Sequence, residues 1–204
     1  MGRLFIIVGN SGAGKTTLTH LLCEKGGFKP GLEQIGERPF QRLFSENLQR
    51  YALPNQFDYL LFRAEQELEI RKSVADGILD GGLEQDFAVF TRHFFQKGYL
   101  NSAEYSLCER LVDVLRQSLP PPERVVVLHA PLDTIAARYA RRGRPLEIAR
   151  LDDLAELQRL LDAWVAEQDP AKVIHINAGD EDPNYSAVLP GLLDQLKQAS
   201  REDS

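Results

Sequence analysis

The chain has 204 residues, 43% hydrophobic and 26% charged, with a net charge of −6. That length supports a well-buried core in a single domain, and the composition excludes a disordered or fibrous chain. The acidic balance argues against a general nucleic-acid-binding surface, while two cysteines, Cys23 and Cys108, suit neither a disulfide framework nor a metal site.

Along the chain, Leu4 to Val8 is an apolar run that predicts a buried strand. It leads directly into Gly9-Asn10-Ser11-Gly12-Ala13-Gly14-Lys15-Thr16, a complete phosphate-loop pattern, and Thr17 continues into a helical stretch. The glycines let the backbone approach a phosphate closely, and the helix that follows turns its free N–H groups toward it. Lys15 suits the β- and γ-phosphates, and Thr16 suits Mg²⁺. A weaker strand is predicted from Leu32 to Glu37, and a long helix from Pro54 to Asp76. Gly77 to Asp80 reads as a third strand. Tyr105 to Leu119 reads as a helix ended by Pro120-Pro121-Pro122. Val125 to Ala130 and Val173 to Ala178 are further apolar strands, covered on both faces. Helices are expected over Pro131 to Arg142, Asp152 to Gln168 and Tyr185 to Ala199.

Strands alternating with helices predict an α/β chain: a three-layer phosphate-loop NTPase fold, with about five parallel strands flanked by helices. Residues 1–199 form one expected domain, followed by a polar tail at 200–204. No apolar stretch has the length of a signal peptide or a membrane span, so a cytoplasmic setting without membrane or nucleic-acid partners is expected.

The phosphate loop alone does not separate kinases from GTPases or ATPases. The segment Arg138-Tyr139-Ala140-Arg141-Arg142-Gly143-Arg144 adds four arginines in seven residues with no acid. Guanidinium clamps stabilise the charge that develops on a transferring phosphoryl group, and Gly143 and Pro145 punctuate the segment as in a mobile lid, about 138–150. Carboxylates at the C-terminal ends of parallel strands are then candidates for proton acceptance and Mg²⁺ binding. Glu37 and Asp80 hold those positions. His129 and His175 read as packed strand residues, Trp164, Phe94 and Phe95 as core, and Phe90 as either core or pocket.

These residues, in this order, resemble the deoxynucleoside kinases, the group that includes deoxycytidine, deoxyguanosine and deoxyadenosine kinases. The resemblance implies that Gly9 to Thr17 holds ATP with Mg²⁺ at Thr16 and Asp80. It implies that Glu37, in Gly36-Glu37-Arg38-Pro39-Phe40, is the general base on a 5′-hydroxyl. Gln56 and Arg63 on the long helix, with Asp86 and Phe90, would face the nucleobase, and Glu147 would touch the sugar. Arg138, Arg142 and Arg144 would hold the ATP phosphates, and Asp180 to Asp182 would lie against the adenine. A homodimer built on long helices is the implied assembly. Two positions depart from the family pattern. Its arginine after the third-strand acid is replaced in Asp80-Gly81-Gly82, with Arg38 or Arg63 as possible substitutes, and its tyrosine near residue 44 or 45 is replaced in Phe44-Ser45. Two other readings therefore stand beside a deoxynucleoside kinase: a phosphate-loop kinase of a nucleoside monophosphate or other metabolite, and an ATP-binding module without transfer.

Overall fold

A computed structural model describes residues 2–32, 38–142, 151–179, 182 and 184–202. Five strands form one all-parallel sheet in the order β2-β3-β1-β4-β5. They are β1 (Leu4–Gly9), β2 (Lys29–Gly31), β3 (Gly77–Asp80), β4 (Arg124–His129) and β5 (Val173–Asn177). Alternation along β1 divides its side chains between two cores. Phe5 and Ile7 pack with Leu18 and Leu22 of α1 (Lys15–Gly26), and with Leu192 and Leu196 of α9 (Leu189–Glu202). Leu4, Ile6 and Val8 face the other way, toward Ile70 of α3 (Leu48–Arg71) and Leu157, Leu161 and Trp164 of α8 (Leu154–Ala166). Helices thus cover both faces of the sheet, as the continuous apolar strands required.

Between these lie α2 (Gln41–Glu46), a short α4 (Leu83–Gln85), a π-helical stretch over Asp86–Thr91, α5 (Arg92–Gln96), α6 (Ser102–Arg116) and α7 (Leu132–Arg142). Asn101 starts α6 through a reciprocal capping box with Glu104.

Several elements differ from the sequence expectation. A strand not expected from the sequence runs over Lys29–Gly31, set by Lys29 N–H donating to Asp76 O at 2.8 Å and by its register on β3, while the strand expected over Leu32 to Glu37 lies, beyond Leu32, outside the described residues. Helix α3 starts at Leu48 because the Asn47 side chain caps it by accepting from Arg50 N at 3.0 Å, so Pro54 lies inside the helix. Strand β5 is at the sheet edge, and His175 on it is exposed rather than packed. Its ring instead meets His129 across the strands at 2.7 Å. Phe95 is partly exposed, whereas Phe94 is core and packs 4.8 Å from Phe44. The last helix starts at Leu189, after a turn that carries Tyr185.

Candidate functional site

The C-terminal ends of β1 and β3 meet at one point, and the phosphate loop crosses it. Gly14 caps α1 in the left-handed region, φ 105°, a conformation that glycine adopts without strain. No acid occupies the first turn of α1, so none of its own side chains offsets the positive potential of its N–H groups. Lys15 Nζ donates to Gly9 O at 3.0 Å and Asn10 O at 3.2 Å, which lays the ammonium across the loop. Ala13 is fully buried beneath it. Gln85 Nε2 supports the same turn from below by donating to Gly9 O at 2.9 Å.

The side chain of Asn10 points away from the loop opening. Its Nδ2 donates to Leu154 O at 2.8 Å and Gln158 Oε1 at 3.2 Å, both on α8, while its Oδ1 accepts Ser11 N–H at 2.8 Å. Helix α7 abuts the loop as well: a Cβ at Gly12 would stand 3.0 Å from Ile135 O. From α7, Arg138 Nη1 reaches Ala178 O at 2.7 Å, just beyond β5.

Thr16 Oγ1 donates to Asp80 Oδ2 in a short hydrogen bond. Asp80 is 1% exposed, and its Oδ1 has no hydrogen-bond partner among the described residues. A buried carboxylate oxygen without a donor, beside a phosphate-loop hydroxyl, is the kind of group a hard cation satisfies. No cluster of three or more metal-ligating side chains exists among the described residues. Mg²⁺ typically takes one or two protein oxygens and completes its shell with phosphates and water.

The acceptor side is built on α3. Gln56 and Arg63 stand two turns apart on it, and both are buried. Arg63 Nε donates to Asp86 Oδ2 at 2.8 Å, and its Nη1 donates to Gln66 Oε1 at 3.1 Å. Asp86 opens the π-helical stretch, which also carries Phe90. Phe90 is half-buried and packs on the α8-side core.

The glycine after Asp80 has a physical reason. Gly81 adopts φ 86°, and a Cβ there would stand 2.9 Å from Arg63 Nη2. The guanidinium of Arg63 therefore lies where a side chain at 81 would begin. Arg38, the other candidate substitute, is bound elsewhere: Nη2 donates to Asp58 Oδ1 at 2.8 Å, and its guanidinium stacks 4.3 Å from the Phe62 ring centre.

Glu37, Arg144, Glu147 and Asp180 lie outside the described residues, as does the side chain of Arg142. Phe44, at the position of the missing tyrosine, is core rather than site-facing. Sequence reasoning missed Gln85, the tie from Asn10 to α8, and Tyr185, whose hydroxyl abuts Gly14. No spacing rule marks these residues, because each reaches the loop from a distant part of the chain.

The sequence model of the family described as deoxynucleoside kinase matches residues 5–189. The chain belongs to the deoxynucleoside kinase family. As a deoxynucleoside kinase it is a phosphotransferase that phosphorylates a deoxynucleoside from a nucleotide donor. It is 23% identical over 197 residues to a deoxyadenosine/deoxycytidine kinase of Bacillus subtilis strain 168, covering 95% of this chain and 91% of the relative. A deoxyguanosine kinase of the same organism is 26% identical over 180 residues, covering 85% of each. The solved deoxyadenosine kinase from M. mycoides, with products dCMP and a flexible dCDP bound, superposes with a TM-score of 0.79 at 18% identity. That alignment covers 96% of this chain and 99% of the solved one. No described helix is long and apolar enough to cross a membrane.

Proposed function

We propose that this kinase transfers the γ-phosphoryl group of ATP to the 5′-hydroxyl of a deoxynucleoside, with Mg²⁺ held at Thr16 and Asp80. The observation that carries this reading is the short path from donor to acceptor groups. Asp80 is bonded to Thr16 of the phosphate loop, and the next residue lies under the Arg63 guanidinium, which is paired with Asp86.

In this reading Lys15 and the N–H groups from Gly12 to Thr17 bind the β- and γ-phosphates. Glu37 accepts the proton of the 5′-hydroxyl as its oxygen bonds to the γ-phosphorus and the bond to the β–γ bridging oxygen breaks, releasing ADP. Mg²⁺, when bound, neutralises charge on the β- and γ-oxygens. Arg138, Arg142 and Arg144 offset the charge spread over the transferring group, and Asp180 to Asp182 border the adenine. Gln56, Arg63 and Asp86 read the base, with Phe90 and Glu147 completing the acceptor pocket. The relatives' names point to deoxyadenosine, deoxyguanosine and deoxycytidine as acceptors, and the ligands dATP and dCTP bound to the solved relatives support a nucleoside triphosphate donor.

The test is ADP release with ATP, Mg²⁺ and each of deoxyadenosine, deoxyguanosine, deoxycytidine, thymidine and dTMP. Turnover of at least one of the first three, abolished by EDTA, is expected. Turnover of dTMP alone, or of none, overturns the reading. Glu37→Gln is expected to lose at least about 100-fold in kcat while retaining ATP binding, and full activity in that variant overturns the base assignment.

A further inference from the structure

Tyr185 is the one non-glycine residue with a positive φ among the described residues, at 50°. A tyrosine in left-handed backbone is held there by its surroundings, and such strain concentrates at functional sites. What holds it is a turn on Asp182. The Asp182 carboxylate accepts the N–H of Asn184 at 3.0 Å and of Ser186 at 2.6 Å, and the Asp182 carbonyl accepts that of Tyr185 at 3.2 Å. The Tyr185 carbonyl then accepts from Val188 at 3.0 Å and Leu189 at 2.8 Å, which starts α9.

The ring aimed by this turn is buried in the core shared by α1 and α9. Its hydroxyl lies against Gly14, the residue that caps α1 immediately before Lys15. A Cβ at Gly14 would collide with Tyr185 Oη, while the next atom, Cζ, stands off at 3.6 Å. Arg138 acts on the same hydroxyl: burial pushes the phenol's pKa up, and the Arg138 charge pulls against that. A segment far along the chain therefore touches the phosphate loop where its backbone is most constrained, next to an arginine of α7.

We propose that Tyr185 is a positioning residue for the phosphate donor. From the turn between β5 and α9 it fixes Gly14, and with it the direction in which Lys15 and Thr16 enter α1, so that donor affinity depends on the phenol oxygen and not only on the ring. This rests on the donor assignment at the phosphate loop. The rival reading is a tyrosine that merely fills the core, which makes the ring essential and the hydroxyl dispensable.

Two readouts on the full chain separate them. A fluorescent ADP analogue gives donor affinity without turnover, and steady-state kinetics give KM for ATP and for the acceptor. Tyr185→Phe keeps the ring and is expected to fold with a Tm near the parent's. Its donor Kd and its KM for ATP are expected to rise about threefold to tenfold, with the acceptor KM within about twofold. Gly14→Ala is expected to weaken donor binding further. Because the collision is with the oxygen, its penalty is expected to be smaller in the Tyr185→Phe background. Unchanged donor affinity in Tyr185→Phe, or strictly additive effects of the two substitutions, overturns the proposal. A parent that binds the analogue yet turns over no deoxynucleoside overturns the functional reading and leaves this test intact. A parent that does not bind the analogue overturns both.

Discussion

A methyl group at position 81 is the smallest change that forces Arg63 to move. It would begin 2.9 Å from Nη2, on a backbone whose φ of 86° already disfavours any side chain. Gly81→Ala and Gly81→Arg are therefore both expected to lower kcat/KM for the deoxynucleoside at least about tenfold, measured by ADP release, because displacing the guanidinium breaks its pair with Asp86. A gain of activity in Gly81→Arg would show instead that position 81 lacks a group the reaction needs. Arg63→Met is the companion test. It removes the guanidinium bonded to the buried Asp86 carboxylate, and an unfolding free-energy loss of about 3–5 kcal/mol is expected by denaturant titration. The residues of this pair, and Asp80, were visible in the sequence as chemistry. Their mutual contacts were not, since an Arg63–Asp86 bond and an arginine over Gly81 depend on how α3 lies across the end of β3. The Tyr185–Gly14 contact was invisible for the same reason.

Helix α8 begins where the described chain resumes at a single helical turn, Leu151–Asp153, and that junction rests on α5. His93, buried on α5, has Nε2 3.3 Å from Asp153 Oδ1, and Lys97 Nζ lies 2.8 Å from the same oxygen. Burial holds the His93 pKa below its ordinary value of 6.5, with the Asp153 charge opposing and Lys97 adding to the shift; Glu156 also opposes it. The folded state thus binds fewer protons at His93 than the unfolded chain does. The contribution of neutral His93 is complete above about pH 6.5 and is lost as pH falls below it. His93→Gln is expected to flatten the fall in Tm between pH 7.5 and 5.5, and an unchanged slope would assign that fall to other groups. At this scale the sequence was most legible where periodicity was strong. The strands after residue 76 were placed within a residue or two, and the helices covering the sheet were present as expected. The three-residue β2 is too short for a periodic signal, and the π-helical stretch at Asp86–Thr91 holds its apolar residues, Phe87 to Phe90, in one unbroken run without helical spacing. The start of α3 was obscured by Pro54, which reads as a first-turn residue yet lies inside the helix.

For the whole molecule, the phosphate loop is the point where both layers of helices meet the sheet, so occupying it stabilises the entire fold by mass action. At ATP concentrations about 100-fold above Kd, unfolding is expected to cost about 2.7 kcal/mol more, a rise in Tm of roughly 5–10 °C. A scan showing no shift at that concentration would argue against donor binding in the folded state. The alternation of strands and helices foretold the parallel sheet and its two covered faces, because burial on both sides leaves a continuous apolar run that any sequence reading detects. One contact has a further consequence. Asn10 bonds to Leu154 at the start of α8, and Gly12 abuts α7, so the two stretches flanking residues 143–150 stand on the same loop. A change in the loop at Asn10 or Gly12 is therefore felt at α7 and at the start of α8 together.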